Sequence, residues 1–407
     1  EARDAAFVTE LVAGTSRLAG TYDAIVAAAS GRDQLDPALA EVLRLGAHQL
    51  LSMRVPLHAA VGATVDLAAA EVGEKVAGLT NAVLRKVAAR DLDAWVAALA
   101  QGRDDLDALA LRTHHPRWIA QAYRDLLGDE AETALAANNE APLTTLVVRP
   151  GLAGRDELGG EPTPFSPWGA RRAGNPAEVA AVAEGRAGVQ DEGSQLMVAA
   201  LAHVPAPAGP WLDLCAGPGG KAALLAGLAI GERTRLLASE RQPHRAALVA
   251  GALGVYTGEH APVVIGADGT RPAWPAGFFA RVMADVPCTG LGALRRRPEA
   301  RWRRSPADLT ALVPLQRSLL ASALDSACPG GVVAYVTCSP HPRETTEVVD
   351  AVLSGRDDVT VVNAPAVLGV PDAARGDFVQ LWPHRHGTDA MFCALLRVND
   401  QAGRGRR

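Results

Sequence analysis

Apolar residues recur at helical spacing through the first hundred positions; past residue 190 they gather instead into short runs set apart by helix-length stretches. Asp36-Pro37 reads as an N-cap with proline at the first helical position, followed by Leu39, Val42, Leu43 and Leu50 on one face. Arg54-Val55-Pro56 ends that helix. Val61, Val65, Ala68 and Val72 form another stripe, and Val83, Leu84 and Val87 a further one before Arg90, so residues 1–105 are predicted to be an all-helical domain. Over 106–185 the pattern loosens. Helices are expected around Trp118 to Leu127 and Glu130 to Ala137, and a strand over Leu143 to Arg149, then Gly- and Pro-rich connections: a connector with a small α+β lobe. From 186 to 407, Trp211 to Leu214, Leu236 to Ser239, Val263 to Ile265, Arg281 to Ala284 and Val332 to Val336 read as strands separated by helices. That alternation predicts a doubly wound, Rossmann-like α/β domain with ligands at the carboxyl ends of its strands.

The chain has 407 residues, 48% of them hydrophobic and 21% charged, which excludes a disordered or fibrous protein and suits two or three domains. A net charge of −5 means that a nucleic-acid partner has to be met by a local basic patch. Lysine stands only at 75, 86 and 221, so nearly all of the 40 basic residues are arginine, the side chain suited to bidentate phosphate contact. The five cysteines are widely spaced, with no C-x-x-C pair. That argues against a disulfide framework or a metal site and for a reducing, cytoplasmic setting. With no apolar run of membrane-spanning length and no signal-peptide pattern, no membrane association is expected. A monomer is expected.

Three segments at strand ends carry candidate chemistry. The first is Asp213-Leu214-Cys215-Ala216-Gly217-Pro218-Gly219-Gly220-Lys221, directly after a strand and directly before a helix over Ala222 to Leu228. Its glycines let the backbone approach a ligand, and the helix start offers unpaired N–H groups. The P-loop spacing is absent. A plain strand-to-helix turn would look similar, but Glu240 ends the next strand, where it can accept ribose hydroxyls, and Asp268 closes a third, where it can receive an exocyclic amine. Carboxylates ending successive strands suit a nucleoside, adenosine foremost. The second segment is Asp285-Val286-Pro287-Cys288-Thr289-Gly290, whose acid is placed to bind the pairing edge of a base. The third is Thr337-Cys338-Ser339-Pro340, where a thiol leaves the sheet on the same edge as Cys288. A thiolate is an effective nucleophile in a polar setting; a dithiol or metal pair is the alternative. Cys328 and Cys393 read as structural.

Between the second and third segments lie Arg295, Arg296, Arg297, Arg301, Trp302 and Arg303, with Arg304 following: six arginines and a tryptophan in ten residues. The plain reading is a solvated loop. Beside a base pocket, the composition suits phosphate contact and base stacking on RNA.

These residues together resemble the RsmB (Fmu/Sun-type) rRNA cytosine-C5 methyltransferases, over nearly the whole chain, with Pro287-Cys288 and Thr337-Cys338-Ser339 as the specific pair. The resemblance implies S-adenosylmethionine as cofactor, held by Cys215 to Lys221, Glu240, Asp268 and Asp285, and RNA, most of all rRNA, as substrate. It also implies Cys338 as nucleophile toward cytosine C6, with Asp285 stabilising the adduct and Cys288 assisting release. Val189 to Gln195 and Trp382 to Asp389 are further matches, and the first domain is similar to the NusB-type RNA-binding domain. Val286 stands where the family usually has Ala, and Glu240 where Asp is common. Two other readings stay open: a methyltransferase acting on tRNA, protein or a small molecule, and a NusB-like RNA-binding adaptor without activity.

Overall fold

Asp36 caps the helix Pro37–Leu51 by accepting hydrogen bonds from the Ala38 and Leu39 N–H groups at 2.9 and 3.2 Å, as its place before Pro37 predicts. In the computed structural model, which describes residues 2–53 and 55–400, Arg54 of the helix-ending turn lies outside the described residues. Around that helix, Ala19–Ser30, Leu57–Glu71 and Ala77–Val87 bury Tyr22, Ile25, Leu43, Val61, Leu84 and Val87 in one apolar core. Trp95 joins it and donates its indole N–H to the Val87 carbonyl at 2.8 Å.

The chain divides into two compact units, Glu1–Ala141 with Leu294–Ser305, and Pro142–Ala293 with Pro306–Arg407. The break expected at residue 105 therefore falls at 141. Asp105–Arg112, Arg117–Leu127 and Ala131–Ala137 belong to the helical unit because each buries its apolar face there, through Leu109, Ile119, Tyr123 and Leu135.

The excursion 294–305 corrects the reading of the arginine run. Arg301 is wholly buried within the helical unit. Its guanidinium donates to the carbonyls of His114 and Asn138 at 3.0 and 3.1 Å and to the Asn139 side-chain oxygen at 2.7 Å. Burial pushes its pKa down to about 9. Trp302 donates its indole N–H to the Arg17 carbonyl at 3.2 Å. Its ring lies so close to Gly20 that a Cβ there would stand 2.2 Å from it. Arg295 is buried as well. Arg295, Arg301 and Trp302 thus hold protein rather than presenting themselves to RNA, while Arg296, Arg297 and Arg303 are exposed.

The second unit begins with a small lobe built on β1 (Thr144–Val148), β2 (Glu161–Pro162), β3 (Gly169–Arg172) and β4 (Ala187–Val189), in the order β2-β3-β1-β4. The central sheet follows: β5 (Trp211–Asp213), β6 (Leu236–Ser239), β7 (Val263–Ile265), β8 (Phe279–Asp285), β9 (Ala327–Thr337), β10 (Val359–Val362), β11 (Ala374–Arg375), β12 (Phe378–Gln380) and β13 (Phe392–Val398). Its order is β11-β12-β13-β9-β8-β5-β6-β7, with β10 also paired to β13. From β7 to β9 the pairing is parallel, and β13 runs antiparallel to β9. One face packs against the helices Glu192–His203, Gly220–Gly231 and Pro243–Leu253, the other against Pro306–Ser326 and Thr346–Leu353. The chain winds outward from β5 in both directions, so the crevice at the carboxyl ends of β5 and β8 is where this topology admits a ligand. No helix among the described residues is long and apolar enough to cross a membrane.

Arg301→Met should destabilise the helical unit by about 2–4 kcal/mol, because three oxygens, one of them fully buried, lose their donor. Arg303→Ala, at an exposed position, should cost less than about 0.5 kcal/mol. Denaturant unfolding of the full chain, followed by tryptophan fluorescence, measures both; equal losses would contradict the buried role of Arg301.

Candidate active site at the carboxyl edge of the sheet

After β5 the backbone turns through Cys215–Gly219 into the helix Gly220–Gly231. Gly219 takes φ +111°, and a Cβ there would come within 2.7 Å of the Ala252 side chain. A Cβ on Gly217 would stand 2.2 Å from a Glu240 oxygen. Only glycine permits this approach. Glu240, buried just past β6, accepts the N–H groups of Gly217 at 3.1 Å and Gln242 at 2.8 Å. Arg245 stands 3.7 Å from the same carboxylate and donates to the Gly217 carbonyl. Asp268 lies in the loop beyond β7 rather than at the strand's last residue. It accepts the Thr270 hydroxyl and N–H at 2.8 and 3.0 Å, which hold its carboxyl below the usual range.

Asp213, the last residue of β5, opens the segment that the sequence singles out but was not among the residues expected to hold the cofactor. It is buried, with one oxygen accepting the Cys215 N–H at 3.3 Å and the other without a partner. Burial, then the neighbouring Asp285, raise its pKa to about 7. An orphaned acceptor at the mouth of a glycine loop, flanked by Glu240 and Asp268, fits a nucleoside cofactor that also carries a hydrogen-bond donor. Its place at the end of the strand, like those of Glu240 and Asp268, was the signal for that role in the sequence. Cys215, whose thiol is pushed up by burial, contributes a small neutral wall.

β8 and β9 bring the reactive groups together. Asp285 pairs in register with Val336, and the Val286 N–H continues the ladder to the Val336 carbonyl at 3.0 Å. Lys221, the second residue of its helix, reaches Asp285 at 2.9 Å. Burial opposes the Lys221 charge, but the Asp285 carboxylate outweighs it and holds the ammonium above its ordinary pKa. The Cys288 and Cys338 sulfurs stand 3.3 Å apart as free thiols. Their hydrogen bond splits them: it lowers the Cys338 pKa, aided by Lys221, and raises that of Cys288, aided by burial. The pair is thus asymmetric, Cys338 being the more acidic thiol and Cys288 the less acidic. Among the described residues no group of three or more His, Cys, Asp or Glu is placed to hold a metal.

Two outlying motifs fix this edge. Asp191 accepts the N–H groups of Gly193 and Asp389 at 2.8 and 3.0 Å. The next residue, Ala390, donates to the Gly292 carbonyl, and Gly292 donates to the Cys338 carbonyl, each at 2.8 Å. Glu192 accepts the Phe165 and Ser166 N–H groups and pairs with Arg171 at 2.9 Å, tying the lobe to the sheet.

A family model described as 16S rRNA methyltransferase RsmB/F matches residues 200–397, and the NusB family matches 1–89. A Mycobacterium tuberculosis (strain H37Rv) protein, named as a methyltransferase without a stated substrate, is 48% identical over 97% of this chain and 89% of its own. Ribosomal RNA small subunit methyltransferase B of Pseudomonas syringae pv. tomato is 30% identical over 100% of this chain and 92% of its own. The crystal structure of PH0851 superposes with a TM-score of 0.80 at 23% identity, over 97% of this chain and 90% of that one. NSun6 from Pyrococcus horikoshii with SFG gives 0.58 at 18%, over 70% and 98%. These two likenesses show the fold.

Asp213 has a pH signature. Its folded pKa of about 7 lies above the unfolded value, so its stabilising contribution is complete below about pH 4 and is lost as pH rises through 7. The stability of the wild type relative to Asp213→Asn should therefore fall between about pH 4 and 7 and level off above. Denaturant unfolding across that range measures it; a difference that is flat or rises with pH would contradict the buried, partnerless carboxyl.

Proposed function

We infer that this chain, which belongs to the RsmB/F family of 16S rRNA methyltransferases and takes its methyl group from S-adenosylmethionine, modifies C5 of a cytosine through a covalent bond from Cys338 to C6. The observation that carries this reading is the pair of sulfurs 3.3 Å apart, one thiol shifted down and the other up, beside the Lys221–Asp285 ion pair.

C5 of cytosine is a weak nucleophile. Addition of the Cys338 thiolate to C6 forms an S–C6 bond and moves electron density to C5, splitting one difficult step into easier ones. Asp285 engages N3 or N4 of the base and stabilises the adduct. Lys221 pairs with Asp285, and its charge favours the Cys338 thiolate. Asp213, Glu240, Asp268 and the loop Cys215–Lys221 would hold S-adenosylmethionine, which when bound supplies the electrophilic methyl that no side chain here can provide. Once C5 is methylated, its proton leaves to water, the C5=C6 bond re-forms and the S–C6 bond breaks. Cys288, still protonated, donates its S–H to the departing sulfur.

The target base has to leave its stack to reach a thiol at a sheet edge, which suits a loop or opened helix of small-subunit rRNA. The exposed Arg296, Arg297 and Arg303 supply phosphate contacts, and the helical unit supplies further RNA affinity.

A denaturing gel of the full chain with substrate RNA and S-adenosylmethionine tests the division of labour. Cys288→Ala should accumulate a denaturant-resistant protein–RNA species. Cys338→Ala and the double variant should form none, since without attack nothing awaits release. An adduct in Cys338→Ala that disappears in Cys288→Ala would reverse the two roles. Bisulfite sequencing of total RNA from a deletion strain should show one rRNA cytosine losing its mark; loss confined to tRNA would overturn the substrate.

A further inference from the structure

Cys288 sits in a turn without regular structure of its own, yet its sulfur is held 3.3 Å from that of Cys338. The residues on both sides of it are tied to one buried carboxylate. Glu344, at the end of the short turn Pro342–Glu344 that follows Cys338, is fully buried. It accepts the Thr289 N–H at 2.8 Å and the Thr289 hydroxyl. It also accepts the Gln316 side-chain amide at 3.0 Å, and that same amide nitrogen donates to the Pro287 carbonyl at 2.9 Å. The Glu344 carbonyl in turn accepts the Tyr335 hydroxyl at 2.8 Å. The carboxylate is thereby anchored to β9, the strand that ends at Cys338.

A buried carboxylate costs stability unless its hydrogen bonds are filled, and an apolar side chain of similar size would pack here as well or better. What an apolar residue could not do is accept from Thr289 and Gln316 together. Its charge also helps keep the Cys288 thiol protonated.

We propose that Glu344 is a positioning residue: by gripping Thr289 directly and Pro287 through Gln316, it holds the Cys288 turn so that the two sulfurs stay in contact. The consequence for turnover rests on the reading that Cys288 assists release, but the placement can be measured without it.

Phenylarsine oxide reads the placement, because its arsenic takes two thiols within bonding reach, forming two As–S bonds and releasing one water. The wild-type full chain should take up one equivalent, followed by intact mass, and Cys288→Ala or Cys338→Ala should set the background. Glu344→Ala should slow capture by about tenfold or more, as expected when a reacting group is displaced by about an ångström. Glu344→Gln, whose amide keeps an acceptor for the Thr289 N–H, should stay within about twofold of wild type on the same reasoning. Thr289→Val, which removes only the hydroxyl, should fall between, and serves if Glu344→Ala does not fold. Capture at the wild-type rate in Glu344→Ala or in Thr289→Val would overturn the proposal. On the denaturing gel, Glu344→Ala should accumulate the RNA adduct as Cys288→Ala does. If Cys288→Ala releases normally, the release role of Cys288 falls while slowed arsenical capture still upholds the positioning. If Cys288→Ala accumulates adduct and Glu344→Ala does not, the positioning falls and the role of Cys288 stands.

Discussion

Parallel pairing of β8 with β9 ends both strands at one level of the sheet, with Asp285 beside Val336, and each strand then releases a cysteine within three residues. The 3.3 Å separation of the sulfurs is a consequence of that register. A one-residue slip would turn these side chains to the opposite face of the sheet and part the thiols. From the contact comes the electrostatic asymmetry: a thiol that receives a hydrogen bond ionises more readily, and the one that donates it less so. Two identical side chains thereby come to differ in acidity. Most of the ordering at this edge serves the same contact, from the Gly292–Cys338 backbone hydrogen bond to the Glu344 clamp.

The same edge collects carboxylates, Asp213, Glu240, Asp268 and Asp285, and a sheet edge crowded with acids would resist ionising all of them. The structure relieves this unevenly. Asp285 has Lys221 and Glu240 has Arg245 nearby, while Asp268 is partly exposed with Arg241 at 3.8 Å. Asp213 has only a backbone N–H and carries the raised pKa. The carboxyl left without a charged partner is thus the one facing the glycine loop, where a bound cofactor can supply the missing donor. The departures from the family's usual residues fit this layout: Val286 is buried beneath the Asp285 turn, and Glu240 reaches across to the Gly217 N–H.

The strands at Leu236–Ser239 and Val263–Ile265, the Asp36 cap, the glycine loop and the placing of Cys288 and Cys338 on one edge were legible in the sequence, because each is written in local pattern or in a strand followed by its turn. The rest depended on distant partners. Arg301 reads as one more member of a basic run until it is seen plugging three oxygens of a unit nearly two hundred residues away in sequence. For the same reason the boundary moved from 105 to 141, and a catalytic-side excursion joined the helical unit. Glu344 gave no signal because a glutamate in a Pro-Arg-Glu turn reads as solvated, and only the fold puts it beneath Thr289. The short strands β10 to β12 escaped notice as well, being recognisable mainly through their pairing with one another and with β13, and β13 itself was seen only as an apolar run around Cys393.

The pH dependence of Cys338 alkylation by iodoacetamide, followed by peptide mass in the wild type and in Cys288→Ala, tests most directly whether the neighbouring thiol activates Cys338, the proposed nucleophile. Loss of the donating S–H should move the Cys338 midpoint to higher pH and slow its modification near neutrality. A midpoint that is unchanged or lower in Cys288→Ala would contradict it.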